Sequence, residues 1–192
     1  MLAVSASPAL SGALEEILNR QKEAKTVRAR FVQERHAQLL DKPIRSEGVF
    51  YYAAGRGVRW QYEDGMLVVY DGEALYVFDP GTMQVEKIKD ASEALGPLNF
   101  DMALLRKSYD IRAEETAGGI VATVSPRKEM PFEKMELRYA RSSPFPEKVI
   151  MSEPTGDKTV IRFEDIRINE PVPEDLLKFT PPPGARVTVR EE

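Results

Sequence analysis

Between residues 46 and 168 the chain is divided into many short segments, rich in Val, Ile, Tyr or Phe, by clusters of turn-forming residues. Gly, Pro, Asp and Ser form these breaks, which recur at roughly ten-residue spacing. Segments of this length are typical of strands that pair with their neighbours in sequence. The pattern therefore predicts a mainly β protein, built as an antiparallel sheet, a barrel or a sandwich.

The first predicted strand begins at Val27, where Val27, Ala29 and Phe31 alternate with Arg28 and Arg30. Alternation with a period of two places the apolar side chains on one face. Ten further strands are predicted over residues 46–54, 57–63, 66–71, 74–79, 83–89, 109–115, 119–125, 132–140, 147–152 and 158–168. The Pro-rich stretch from residue 171 to residue 183 is interpreted as a connection to a terminal strand.

Two segments have helical periodicity instead. The first covers about residues 11–25, with Ser11 as the N-cap and a single apolar stripe. The second is a helical insert around residues 91–107, in the middle of the predicted strands. A helical insert among strands has to cover an apolar surface. Both helices are therefore candidates for a lid over the sheet.

Composition limits the classes of partner. The 192 residues are 42% hydrophobic, which is enough for one domain with its own core. The net charge is −4, and the 27 basic and 31 acidic residues are interspersed, so nucleic acid is not a predicted partner. The chain has no cysteine, which excludes disulfides and cysteine-ligated zinc but leaves the compartment open.

The N-terminal residues 1–10 are small and apolar, but they contain no basic residue and the apolar run is short. We interpret them either as a disordered start or as the remaining tail of a trimmed signal peptide. Residues 11–192 contain no internal repeat and no shift in composition. This part of the chain is predicted to form a single domain.

Potential catalytic motifs are weak. His36 is the only histidine, and no motif places a nucleophile or further metal ligands beside it. The adjacent carboxylates of Glu63 and Asp64 point to opposite faces of a strand, so they do not form an acid–base couple. Residues 156–159 resemble a phosphate-binding loop only superficially and predict a hairpin turn. We predict no enzyme activity, no catalytic residue, no cofactor and no metal.

Several strands carry large apolar side chains on both faces, notably residues 50–52, 66–70 and 75–78. One explanation is that one face packs on the core of the sheet and the other lies under helices. Another is that a strongly bent sheet holds open an apolar cavity, where these side chains meet the hydrocarbon of a ligand. Sequence periodicity does not separate the two explanations.

An ordered set of short motifs extends through nearly the whole chain. Its members are Phe31-Val32-Gln33, Ser46-Glu47-Gly48, Val58-Arg59-Trp60, Asp71-Gly72, Leu75-Tyr76, Asp79-Pro80, Gln84-Val85, Ser125-Pro126-Arg127 and Phe179-Thr180-Pro181-Pro182-Pro183-Gly184. In this order and at these separations the chain resembles the LolA family of periplasmic outer-membrane lipoprotein carriers. The resemblance implies a half-open antiparallel β-barrel of about 10–11 strands with a helical lid. It also implies an apolar cavity for acyl chains, lipoprotein transport from the inner to the outer membrane, and the periplasm as the compartment.

The resemblance also assigns roles to residues and suggests partners. It implies that the cavity and its mouth are lined by Phe50, Tyr52, Val58, Trp60 and Val68, and that the lid contacts come from Leu14, Leu18, Phe100 and Leu104. The implied partners are acylated lipoproteins or another lipid, and an inner-membrane ABC transporter of the LolCDE type. An outer-membrane acceptor of the LolB type is a further candidate, and the protein is expected to be a monomer.

One position departs from the family pattern. The family usually has Arg-Pro six residues before the tryptophan, and that arginine acts as a latch by hydrogen-bonding the backbone of the lid helix. Here Ala54 and Gly55 occupy these positions. Arg56 is a candidate replacement, and the alternative is a solvated arginine at a hairpin tip. The departure keeps two other functions open, a carrier of another lipid or glycolipid and a β-rich protein-interaction module.

Overall fold

A computed structural model describes residues 12–89, 91, 102–128, 130 and 132–191, apart from the side chain of residue 104. The helices are α1 (Gly12–Glu23) and α2 (Met102–Ser108). The strands are β1 (Thr26–His36), β2 (Ile44–Ala53), β3 (Gly57–Tyr62), β4 (Leu67–Tyr70), β5 (Ala74–Asp79), β6 (Gln84–Lys89), β7 (Tyr109–Thr116), β8 (Gly119–Pro126), β9 (Lys134–Ala140), β10 (Lys148–Ser152), β11 (Lys158–Ile168) and β12 (Arg186–Glu191).

The ten strands predicted after the first have bounds within two residues of those observed. Turn residues and period-two alternation therefore located these strands correctly. The predicted first helix is confirmed over the described residues, and α2 is the described end of the helical insert. Residues 1–11, with the predicted N-cap Ser11, and most of the insert lie outside the described residues, so the predictions made for them remain predictions. Neither helix is long and apolar enough to cross a membrane within the described ranges.

All twelve strands belong to one sheet, in the order β12-β6-β5-β4-β3-β2-β1-β11-β10-β9-β8-β7. Ten of the pairings are antiparallel, and the pair of β12 and β6 is parallel. The edge strands β12 and β7 lie at opposite ends of this order, so the sheet stays open. The half-open β architecture is confirmed, with twelve strands in place of about 10–11 and with one parallel pair.

The inner face of the sheet, meaning the face covered by α1 and α2, contains the main core. Leu14 and Ile17 of α1 and Met102 and Leu105 of α2 are buried in it. β1 lies between β2 and β11, which are distant in sequence, and this pairing joins the two halves of the sheet. Because successive side chains alternate, every second residue along the buried parts of the central strands reaches this core.

The outer face of β2 to β6 is covered by the C-terminal segment, residues 170–183. Val172 and Leu177 of this segment are buried against Ala53. The ring of Phe179 lies with its centroid 5.5 Å from that of Tyr76 and 5.9 Å from that of Phe78. The segment then leads into β12 on the edge strand β6. The apolar side chains on the outer face of these strands are thus covered by the C-terminal segment, which includes the 3₁₀ turn Asp175–Leu177.

Gly48 makes room for a large ring on the inner face. It pairs with Phe31 across β1 and β2. A Cβ atom at position 48 would lie 2.7 Å from a ring carbon of Phe31, and it would also meet the carbonyl oxygen of Gln61. The ring and the neighbouring backbone therefore occupy the space that a side chain would need. This explains in physical terms why the motif Ser46-Glu47-Gly48 carries a glycine inside a strand.

Candidate functional site

Among the residues that the structure describes, five buried aromatic side chains form a cluster at the middle of the inner face. Phe50 lies in contact with Trp60 and Phe145, at ring-centroid distances of 4.8 and 5.4 Å. Phe163 is 4.9 Å from Phe145, and Phe31 is 4.9 Å from Trp60. All five side chains are buried. The aromatic cluster joins both halves of the sheet, because its members come from β1, β2, β3, β11 and the loop before β10.

The first cavity, of about 260 Å³, lies beneath the helices on one side of the aromatic cluster. Its lining is mostly apolar, and its polar groups come mainly from α1. The lining residues are Leu18, Gln21, Lys22, Ala24, Val27, Tyr52, Ala54, Ala103, Pro144 and Phe145. Because Phe145 also belongs to the aromatic cluster, the cluster forms the inner wall of this cavity.

The second cavity, of about 210 Å³, lies towards the opposite end of the strands. Apolar side chains form its floor, and polar side chains surround it. The lining residues are Gln33, Arg35, Trp60, Tyr62, Val68, Met151, Glu153, Thr159 and Ile161. Trp60 belongs to the aromatic cluster, so the cluster also forms a wall of the second cavity. The two cavities are therefore separated by packed aromatic rings.

Both cavities are small for a hydrocarbon ligand. Pockets that bury small-molecule ligands typically measure about 300–1,000 Å³. Each cavity lies below that range, at about 260 and about 210 Å³. A long hydrocarbon ligand requires the aromatic rings or the helices to move, because protein interiors are close-packed. Binding such a ligand would join the two cavities into one.

Polar contacts join the two helices to each other and join α1 to the sheet. The backbone N–H of Met102, at the start of α2, donates to Oε1 of Gln21 at 3.2 Å. Nη1 of Arg20 donates to the carbonyl oxygen of Ala140 at 3.4 Å, at the end of β9. Burial raises the pKa of the Tyr139 phenol, and the neighbouring Gln21 side chain lowers it in part. The Tyr139 hydroxyl is buried and, among the described residues, has no hydrogen-bond partner of ordinary geometry. Gln21 therefore joins α1 to α2 and lies beside Tyr139 of β9.

Sequence reasoning did not assign a role to Gln21. The available signal was a glutamine at a position that continues the apolar stripe of the first helix. A polar side chain at such a position is buried only if it has partners. Phe145 and Phe163 were also missed as members of the site, because nothing local to a loop or to β11 indicates which side chains of β2 and β3 they meet.

The structure places the predicted cavity residues on the inner face. Phe50, Val58 and Trp60 are buried in the main core. Tyr52 lines the first cavity, and Val68 lines the second together with Trp60. Their contact with a ligand remains a prediction, since this arrangement shows only where the side chains lie.

The predicted lid residues are placed in part. Leu14, on the sheet-facing side of α1, is buried, and Leu18 of the same helix lines the first cavity. Phe100 and the side chain of Leu104 lie outside the described residues. All four lid assignments remain predictions.

Position 54, where the family has its arginine, faces the first cavity: Ala54 is one of the lining residues. The backbone N–H of Arg56 donates to the carbonyl oxygen of Ala53 at 3.0 Å, which closes the turn between β2 and β3. Nη2 of Arg56 donates to the carbonyl oxygen of Val172 at 3.4 Å, in the C-terminal segment. This contact fastens the outer cover, and a latch role for Arg56 at the helices remains a prediction.

The Tyr62 phenol, which lines the second cavity, is held in its neutral form. Burial, followed by the charge of Asp64, raises the pKa of the Tyr62 phenol to about 12. Its hydroxyl donates to Oε1 of Gln33 at 3.3 Å, beside the second cavity. His36 lies at the end of β1. Within the part of the chain that the structure describes, no group of three or more His, Cys, Asp or Glu side chains is arranged to hold a metal ion.

Comparison with known proteins adds independent evidence. Residues 22–180 match the family model described as "Outer membrane lipoprotein carrier protein LolA". The outer-membrane lipoprotein carrier protein of Dechloromonas aromatica is 29% identical over 187 residues, covering 92% of this chain and 88% of the relative. That of Methylibium petroleiphilum is 26% identical over 193 residues, covering 97% and 94%.

Solved structures share the fold. An uncharacterized conserved protein from Thermus thermophilus superposes with a TM-score of 0.58 at 17% identity, covering 92% of this chain and 98% of the other. The LolA superfamily protein NE2245 from Nitrosomonas europaea gives 0.51 at 12% identity, covering 87% and 98%. At such low identity these structures indicate a common fold and carry no information on cargo.

Proposed function

The chain belongs to the LolA family of outer-membrane lipoprotein carrier proteins, and on that basis we propose that it shelters lipoprotein acyl chains beneath α1 and α2 and carries them from the inner to the outer membrane. Membership in a family of carriers also means that the protein is not an enzyme. Lipoprotein transport is the function of the family, whereas the route and the mechanism in this chain are our proposal.

The physical need for a shelter is large. Exposing an acyl chain to water costs about 0.8 kcal/mol for each CH₂ group, so a triacylated protein does not cross an aqueous compartment unaided. The observation that best supports the proposal is the inner face itself. It carries two cavities with apolar floors on either side of an aromatic cluster, and α1 and α2 cover the first of them.

We propose that cargo enters when α1 and α2 move away and the aromatic cluster separates. Phe50 and Phe145 would then part, and the first cavity would extend past Trp60 into the second. Tyr52, Val58 and Val68 would line the enlarged cavity, and Leu14 and Leu18 would contact cargo from the lid. Release reverses this movement, because the empty state regains the packing of the rings.

We further propose that Gln21 takes the place of the missing latch. Ala54 leaves the first cavity empty at the position of the family arginine, and Gln21 lines the same cavity. The Gln21 side chain already bonds the backbone N–H of Met102 on α2. A hydrogen bond from a side chain to the backbone of the lid helix is the contact that the family arginine supplies. Arg56, tied to Val172, is the weaker candidate.

The proposed partners follow from the transport route. We propose that an inner-membrane ABC transporter of the LolCDE type loads the carrier and that an acceptor of the LolB type receives the cargo. The proposed compartment is the periplasm, where proteins of the family act. A carrier of another lipid or glycolipid is the second candidate function, because Ala54 and Gly55 replace the latch pair of the family.

Mass spectrometry of lipid that co-purifies from the native host under mild conditions tests the choice of cargo. Triacylated peptide supports lipoprotein transport, and free glycolipid or phospholipid supports the second candidate. A core that takes up neither acyl probes nor detergent would favour a protein-interaction module instead.

A transfer assay with labelled triacylated lipoprotein tests the site. Val68→Glu places a carboxylate against the apolar floor of the second cavity and should lower acyl uptake by tenfold or more, because hydrocarbon would then have to displace the water that solvates this charge. Val187→Glu on β12 is the matched control, since Val187 is exposed outside the cavity linings. Equal transfer by both variants would contradict a role for the second cavity.

A further inference from the structure

Exposed large hydrophobic side chains are concentrated at the connection between β1 and β2. We call residues 37–44 the β1–β2 tip. Leu39 is 98% exposed, Leu40 49% and Ile44 54%. Among the described residues, the other exposed large hydrophobics are Met83, Val187 and Val189, which lie in the turn before β6 and on β12. The tip thus holds half of them within eight residues.

The β1–β2 tip is held in place by the neighbouring turn between β10 and β11. The backbone N–H of Gln38 donates to Oδ1 of Asp157 at 3.1 Å. Nη2 of Arg35 lies 3.5 Å from Oδ2 of Asp157 and 3.6 Å from Oε1 of Glu153. Within the tip, the backbone N–H of Leu40 donates a hydrogen bond to the carbonyl oxygen of Ala37 at 3.0 Å, which closes a turn. Its leucines are therefore presented to water by an ordered turn.

The tip stands beside the second cavity. Gln33 and Arg35, on the last residues of β1 before the tip, line that cavity, and so does Glu153 from the bracing turn. The helices cover the other cavity, at the opposite end of the strands. The exposed leucines and the mouth of the second cavity consequently face the same region of solvent.

We propose that the β1–β2 tip inserts into the interface of a lipid bilayer and presents the second cavity to the membrane surface. Each aliphatic side chain that leaves water raises the partition constant by about tenfold to a hundredfold when it is fully buried. One fully exposed and two half-exposed side chains give reversible binding, which suits a molecule that must leave the membrane again. This inference rests on the proposed carrier function only for the reason why the protein would visit a membrane. The binding itself depends on the exposed side chains of the tip.

A bilayer fits this surface better than a protein partner. A stable protein interface buries roughly 800 Å² on each side, which three aliphatic side chains do not provide. Charge at the tip is also balanced. Arg45 lies 2.8 Å from Glu47, and Asp41 is followed by Lys42, so no excess of positive charge faces the membrane. Binding should therefore depend on apolar contact and respond weakly to salt and to anionic lipid.

Flotation of the full chain with phosphatidylethanolamine–phosphatidylcholine vesicles tests the proposal. Wild type should float with the vesicles, and Leu39→Glu should reduce the bound fraction by tenfold or more. Val189→Glu is the matched control, because it places the same charge on an exposed apolar residue of β12. Leu39 is almost fully exposed, so its substitution should not disturb folding.

Four results would overturn the proposal: no flotation of wild type, normal flotation of Leu39→Glu, an equal loss for Leu39→Glu and Val189→Glu, or binding that requires anionic lipid. A Leu39→Glu variant that floats normally but fails in transfer to proteoliposomes would assign the tip to a protein partner and also overturn it. Uptake of a soluble acyl probe separates the two functions. It should be unchanged in Leu39→Glu, whereas its absence in wild type would refute the carrier function and leave the vesicle result intact.

Discussion

Replacing Gln21 by leucine should loosen the helical cover without unfolding the sheet. The substitution keeps the approximate size of the side chain but removes the acceptor for the N–H of Met102, 3.2 Å away. It also removes the group that faces the buried Tyr139 phenol. Leaving a buried donor without its partner costs about 1–3 kcal/mol. We expect the closed state to lose about 1–2 kcal/mol, which raises the population of open molecules roughly 5- to 30-fold.

Hydrogen exchange measured by mass spectrometry tests this prediction. Peptides that cover α1 and α2 should exchange faster by that factor, whereas peptides of the central strands β1 and β11 should not change. Uptake of an acyl probe should become faster in parallel, because an open cover exposes the first cavity.

Gln33→Leu is the matched control, since it makes the same chemical change at the second cavity, where Gln33 accepts a bond from Tyr62. It should leave exchange in the helices unaltered. The reasoning is refuted if Gln21→Leu leaves helix exchange unchanged, if Gln33→Leu raises it equally, or if all peptides accelerate together. The last result would indicate global destabilisation instead of lid opening.

Three further predictions concern the cavity, the phenol and the glycine of the inner face. Ala54→Arg should fill the first cavity at the family position, strengthen protection of the helices and slow acyl uptake; faster uptake would contradict this. The neutral Tyr62 phenol, with its pKa raised to about 12, stabilises the fold fully below about pH 10, and this contribution of about 2–3 kcal/mol is lost as pH rises from about 10 to about 12. Urea unfolding at both ends of that range should therefore show a smaller loss for Tyr62→Phe than for wild type. Gly48→Ala should lower the free energy of unfolding by about 1–3 kcal/mol because the new Cβ meets the Phe31 ring and the Gln61 carbonyl, while Gly118→Ala, which meets nothing within 4 Å, should have little effect.

Much of the site was accessible from sequence because strand alternation fixes the face of each residue. Phe50, Val58 and Trp60 share one face through their cross-strand pairing, as the period of two predicts. The identity of their partners was not accessible. Phe145 comes from a loop and Phe163 from the far half of the chain, and both reach Phe50 only because β1 pairs with β11. Local patterns contain no information on such distant contacts.

The sequence by itself determined where the strands begin and end and which family the motifs resemble, because turn residues and alternation act over a few neighbouring residues. Only the tertiary structure decided what covers each face. The outer face is covered by Val172, Leu177 and Phe179 of the C-terminal segment, and the inner face by helices tied through Gln21. Apolar side chains on both faces of a strand indicate that each face must be covered by another segment of the chain. Which segments supply them depends on long-range packing, since hydrophobic burial is non-directional and any apolar segment of suitable shape satisfies it.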